Sequence, residues 1–210
     1  MTEVASYRWP QARSAARREE ILEAAFEVFS TKGFDGGSLR AVAERVGLSE
    51  AGVLHHFASK AELLMAVLDH RDAVQERVVG PAPTAGVARL EWVLAVAWVN
   101  TSTPGVIELF LRMAVEATSP DHPAHEWFVH RVGRTRRTLT ESFEALRSQG
   151  LLAPGVDVEE AATSTIAIWN GLQLQELQVP GSVETPAGLA AHLRRLVTAQ
   201  LRPMHEGLGS

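Results

Sequence analysis

The chain has 210 residues, 46% of them hydrophobic and none of them cysteine, and a formal net charge of −5. That is enough apolar material for one large helical domain, or for a small head on a larger body, and it excludes disulfides, thiol catalysis and thiolate metal sites. Charge alone does not bring such a chain to nucleic acid. Residues 1–60 carry eight Lys and Arg against eight Asp and Glu, and the remaining 150 carry twelve against seventeen. Any DNA contact must come from individually placed cations and helix ends.

Residues 1 to about 11 read as disordered, with Pro10 at the edge. They have no apolar core and no signal-peptide plan. The longest apolar run, Trp92 to Val99, falls far short of the ~20 residues of a membrane span. A cytoplasmic protein with no membrane partner is expected.

Arg13 to Lys32 reads as an amphipathic helix with Ile21, Leu22, Ala25, Phe26 and Phe29 on one stripe. Gly33 stops it, and Phe34 can fold back on it. Ser38 is a good N-cap, and Leu39, Val42, Ala43 and Val46 follow at helical spacing. Gly47 stands where a left-handed cap residue is wanted. Leu48 can plug the corner, and Ser49 caps the next helix, whose inner face carries Val53 and Phe57. This pattern predicts a helix-turn-helix, which lays its second helix in the major groove of DNA.

Ser59-Lys60-Ala61-Glu62 is a capping box. It opens a longer helix to about Val79, with Leu63, Leu64, Val67 and Leu68 on its buried stripe. Residues 80–86, GPAPTAG, form the most marked linker. Five further helices are predicted at roughly 87–101, 104–118, 122–149, 157–178 and 186–201. Asp157 caps its helix with Glu160 at the capping-box position, and Thr185 caps the last, with Pro186 at its first position. No useful period-two alternation predicts a strand. The expected fold is all-α with about nine helices: a head at 12–58, a connecting helix at 59–79 and a helical-bundle body at 80–204.

Residues 17 to about 68 resemble the DNA-binding head of the tetracycline-repressor (TetR-like) regulators. The resemblance rests on ILEAAFEVFSTKGF, SLRAVAERVGLS and HHFASKAELLMAVL, without gaps. It implies a homodimeric repressor that binds double-stranded operator DNA. It also implies a small-molecule pocket in the body, from which ligand binding moves the fourth helix and spreads the two heads. By the same resemblance the recognition helix is Glu50 to His56, with Glu50, Ala51, Gly52 and Leu54 facing base edges. His55, His56 and Lys60 then reach the DNA backbone, Ser38 and Arg40 sit at a phosphate, and Arg17 adds another contact. Ser49 belongs to the same surface as the cap. The family often has Thr where this chain has Gly52, and usually Tyr where it has Leu54. Base reading here therefore leans on thymine methyls and close backbone approach.

The body concentrates aromatic residues. Trp98, Phe110, Met113, Trp127, Phe128, Trp169 and Gln173 are the candidates for a ligand pocket between helices, with ordinary core packing as the plainer alternative. An apolar or aromatic effector is expected. Ala167, Gly171, Leu174, Leu189, Leu193, Leu196 and Val197 are the candidates for a dimer face across a two-fold axis, with intrachain core as the alternative. Trp169 and Gln173 suit either the pocket or the interface. His122, His125, Glu126 and His130 are the one further ligand-like cluster, read as solvated histidines. No metal, cofactor or catalytic residue is assigned.

Two other readings stay open. One is a DNA-binding regulator with no inducer. The other is an enzyme on a helical bundle, for which Glu108, Glu116 and Asp121 supply acids but no spacing with known mechanics.

Overall fold

The computed structural model describes residues 9–202, with side chains from residue 14 onward. Nine helices run through the described residues: α1 (Trp9–Gly36), α2 (Leu39–Arg45), α3 (Glu50–His56), α4 (Lys60–Val79), α5 (Gly86–Ser102), α6 (Val106–Glu116), α7 (His125–Ser148), α8 (Val158–Gln178) and α9 (Thr185–Leu196). The all-α expectation holds. Among the described residues there is no strand, only an isolated antiparallel bridge between Leu152 and Val197.

The predicted caps explain the head. The hydroxyls of Ser38, Ser49 and Ser59 accept from the amides of Ala41, Gly52 and Glu62 at 3.1, 3.1 and 3.0 Å. Gly47 takes φ 66°, and the Leu48 N–H donates to the Ala43 carbonyl at 2.9 Å, which closes the turn by a Schellman motif. Glu62 reaches back as a capping box does, but it accepts from Ala58 N–H, 2.9 Å away, one residue before the cap. Gly33 (φ 74°) breaks α1 with a non-helical residue and turns Phe34 back toward Phe29, their ring centroids 6.2 Å apart.

Several boundaries differ from expectation. The first helix already runs from Trp9, because proline is compatible with the first turn of a helix; the disorder expected for residues 1–8 lies outside the described residues. Thr185 is not a cap but the first residue of α9, and its hydroxyl donates to Glu176 Oε2 at 2.7 Å. The last helix ends at Leu196 rather than 201. Val197 and Thr198 instead extend along the loop after α7, with Ala153 N–H donating to Leu196 and Thr198 N–H to Leu151. Two β-branched residues favour that extended backbone. It also buries Val197 and Leu201, which a continued helix would carry elsewhere.

Two apolar cores result. One joins the head to the body: Ile21, Phe29, Val53, Phe57 and Leu64 pack together with Leu109, Met113 and Phe128. The other lies wholly in the body, among Leu90, Leu94, Phe143, Leu146, Leu189 and Leu193. No single helix among the described residues is long and apolar enough to cross a membrane.

Candidate functional site

The head presents α3 outward. Val53 and Phe57 face inward with no exposure, which fixes the rotation of the helix and leaves Glu50, Ala51, Leu54 and His55 exposed and Gly52 and His56 half-buried. Leu54 is 40% exposed. The capping serines 38 and 49 are exposed as well, and each hydroxyl can donate outward while its oxygen accepts.

The cations around this face are held in different ways. Arg40 is mostly exposed and bound to Glu44 at 2.9 Å. Arg17 pairs with Glu20 at 2.6 Å and also donates to the Val46 carbonyl. Lys60 rests its ammonium over the Phe34 ring, 4.4 Å from the centroid. Arg18 was not among the expected residues. Its guanidinium donates to the His56 carbonyl at 2.8 Å and lies 3.9 Å above the Phe57 ring, so it closes the C-terminus of α3 and locks that helix against α1. Its place in the run RREE reads as solvated charge, and nothing local in the sequence separates it from Arg17.

Gly52 is not required by the fold. A Cβ there would meet only Leu48 and Ser49, at 3.4 Å and beyond, and its backbone is helical. Gly52→Ala is expected to stabilise the head by roughly 0.5–1 kcal/mol, the helix-propensity gain, in a urea melt. A loss of stability would mean that packing, not outward approach, explains the glycine.

The pocket candidates divide. Phe110, Trp169 and Gln173 do line one cavity of about 60 Å³, together with Arg71, Asn100 and Arg131. Met113 and Phe128 do not: both are buried in the core that joins head and body, because α6 turns its inner face to the head. Trp127 packs edge-on against Phe128, and its indole N–H donates to Asp69. Trp98 lines a separate open cleft of about 510 Å³ between α5, α8 and α9.

The dimer candidates divide as well. Leu189, Leu193 and Val197 are 5% exposed or less and belong to the protomer's own core, so they cannot reach a partner. Leu196 packs against the same core. Ala167 and Leu174 are exposed and Gly171 is half-buried, with open space around it; together they form an outward stripe on α8. The histidines are dispersed. His122 packs against Phe34 and lies 3.6 Å from Glu116, His125 bonds the Ala117 carbonyl, and His130 faces Glu126 in solvent.

A charged cluster that no sequence pattern announced lies where α4 meets the body. Asp72 receives Arg71 Nη1 at 2.8 Å and Arg131 Nη1 at 2.9 and 2.6 Å. Arg71 Nη2 donates to Asn100 Oδ1 at 3.1 Å. Burial pushes the Arg71 guanidinium below its ordinary value, with Asp72 opposing. Burial, and then the facing charge of Arg71, push Arg131 down to about 10. One carboxylate serves one buried and one half-buried cation.

Comparison with known proteins places the chain. The family model described as bacterial regulatory proteins, tetR family, matches residues 21–67. The model described as the C-terminal part of BetI-type transcriptional repressors matches residues 93–202. The HTH-type transcriptional repressor AcnR of Corynebacterium diphtheriae is 38% identical over 63 residues, which is 30% of this chain and 33% of that protein; the chain thus matches about a third of that relative's length. A transcriptional regulator of Saccharomonospora viridis, solved in complex with choline, superposes with a TM-score of 0.71 at 20% identity, covering 87% of this chain and 98% of that one. SmeT, the repressor of the Stenotrophomonas maltophilia multidrug efflux pump SmeDEF, does so with a TM-score of 0.68 at 18% identity, covering 88% and 92%.

Proposed function

We propose, for a chain that belongs to the tetR family of bacterial regulatory proteins, that it is a cytoplasmic homodimeric repressor rather than an enzyme, held on a palindromic operator and released by a small molecule bound in its body. The observation that carries this reading is α3: capped at Ser49, anchored inward by Val53 and Phe57, and turned outward over Glu50, Ala51, Gly52 and Leu54. A helix held in this way is built to enter a major groove. The outward stripe of Ala167, Gly171 and Leu174 supports pairing through α8, since a two-fold dimer sets the two recognition helices at half-sites one helical turn apart. The cavity between α4 and α8, together with the cleft that adjoins it, supports an effector.

The test is a mobility shift with the DNA upstream of the protein's own gene, repeated across salt, with the mass of the free protein measured by sedimentation. Sequence-selective retardation by a dimer is expected. No selective binding at any salt, or a monomer on the shifted DNA, sinks the reading. Arg40→Ala and Lys60→Ala are each expected to weaken binding about equally for all sequences and to reduce the slope of log affinity against log salt by about one. An unchanged slope in both would remove these cations from the phosphate contacts.

A further inference from the structure

The cavity between α4 and α8 says what kind of molecule it takes. Each of five helices contributes to its wall: Arg71 from α4, Asn100 from α5, Phe110 from α6, Arg131 from α7, and Trp169 with Gln173 from α8. Two guanidiniums line it, and the carboxylate they share, Asp72, lies in the wall of an adjoining cleft of about 360 Å³. That cleft meets the cavity at Arg131, Thr135 and Trp169 and adds Arg89 and Arg134 against Glu76. The two spaces together therefore face four cations with two carboxylates. The indole N–H of Trp169, buried in the partition between them, has no acceptor among the described residues. A buried donor without an acceptor is an unmet demand, and here it stands beside an excess of positive charge.

We infer that the effector is an organic carboxylate whose carboxyl group sits between Arg131 and Trp169. A carboxylate accepts from a guanidinium and from an indole N–H at once, with the charge-assisted geometry that guanidinium favours. The cavity of about 60 Å³ is too small for more of the molecule than its carboxyl end; the adjoining cleft of about 360 Å³, with Trp92, Val93 and Leu139 in its wall, suits an apolar or aromatic body. Gln75 Oε1 in the adjoining cleft is an unpartnered acceptor and suits a hydroxyl or amide farther along the molecule. The same charges oppose a quaternary ammonium such as the choline seen with the Saccharomonospora viridis regulator, since a cation there would face Arg71 and Arg131 in a poorly solvated site. The inference rests on the effector reading given above and specifies its chemistry.

The experiment is a thermal-shift titration of the full chain with acetate, benzoate, phenylacetate and octanoate. Benzamide, phenylacetamide, choline and inorganic phosphate run beside them, and operator binding is measured on the same protein. At least one carboxylate with an apolar body is expected to raise Tm by about 5 °C or more at a hundredfold excess over its Kd, while its amide and choline leave Tm unchanged. Arg131→Gln is expected to weaken that carboxylate by roughly 10- to 100-fold. Trp169→Phe, which keeps the packed ring and removes the N–H, should weaken it severalfold and carries the test if Arg131→Gln does not fold. The inference is overturned if no carboxylate shifts Tm, if an amide, choline or phosphate does so as well as any carboxylate, or if Trp169→Phe leaves carboxylate binding unchanged. Operator binding that persists through any of these failures overturns the carboxylate alone. Absent operator binding in the untreated protein overturns the repressor reading instead.

Discussion

Asp72→Ala is expected to cost roughly 3 kcal/mol of folding stability, the cost of leaving a buried ion pair without one partner. It should lower Tm by about 6–12 °C in a chain of this size. Arg71 is 8% exposed, and the side chains of Arg131 and Asp72 are 20% and 30% exposed. The carboxylate bonds both guanidiniums between 2.6 and 2.9 Å. With it gone, burial and mutual repulsion act on the two cations unopposed, and both already sit below their ordinary values with Asp72 present. Urea denaturation gives the loss directly. The triple replacement Arg71→Met, Asp72→Leu, Arg131→Met should recover most of it, because apolar groups of similar volume replace buried charges at little cost. A loss below about 0.5 kcal/mol for Asp72→Ala, the range of ordinary surface changes, would show that solvent already satisfies the cluster.

Glu116→Ala is expected to separate effector binding from operator release. Glu116 ends α6, and its Oε2 accepts the Phe34 N–H at 2.8 Å just past the break in α1. Arg112, one turn earlier, donates to the Ser30 carbonyl at 3.2 Å. The body thus grips the head at the end of α1 as well as through α4. The grip is specific to the backbone there, because a Cβ on Gly33 would collide with Glu116 Oε1 and force a side chain onto φ 74°. Removing the carboxylate strands the Phe34 amide and is expected to cost about 2 kcal/mol. It should also reduce the factor by which effector weakens operator binding, typically 5- to 150-fold in coupled sites, to a few-fold or less, with effector affinity little changed. Operator Kd measured with and without saturating effector, in wild type and variant, reads that ratio. An undiminished ratio would take the Glu116 contact out of the coupling.

Much of the head was legible in the sequence because its determinants are local. Ser38, Ser49 and Ser59 cap the amides three residues on, and Gly33 and Gly47 stop helices by their own backbone conformation. The body is governed by contacts far apart in the chain. Asp72 and Arg131 lie 59 positions apart, and each alone resembles a solvated charge on a helix. Met113 and Phe128 were legible as buried but not as facing the head, since periodicity shows that a face is apolar and not what covers it. Leu189 and Leu193 illustrate the same limit: their stripe is real, but it packs on α5 and α8 within the protomer. Val197 left its helix because a distant loop offered hydrogen bonds to Leu196 and Thr198, which no local propensity records.

The most direct test of the central claim is a competition. A labelled operator fragment from the upstream DNA is bound to the protein in fluorescence anisotropy, then displaced by unlabelled operator or by random duplex of equal length, at several salt concentrations. A head that reads bases through α3 predicts that the operator displaces at least about a thousandfold better than random DNA, with both affinities falling as salt rises. Equal displacement by operator and random duplex at every salt would contradict it.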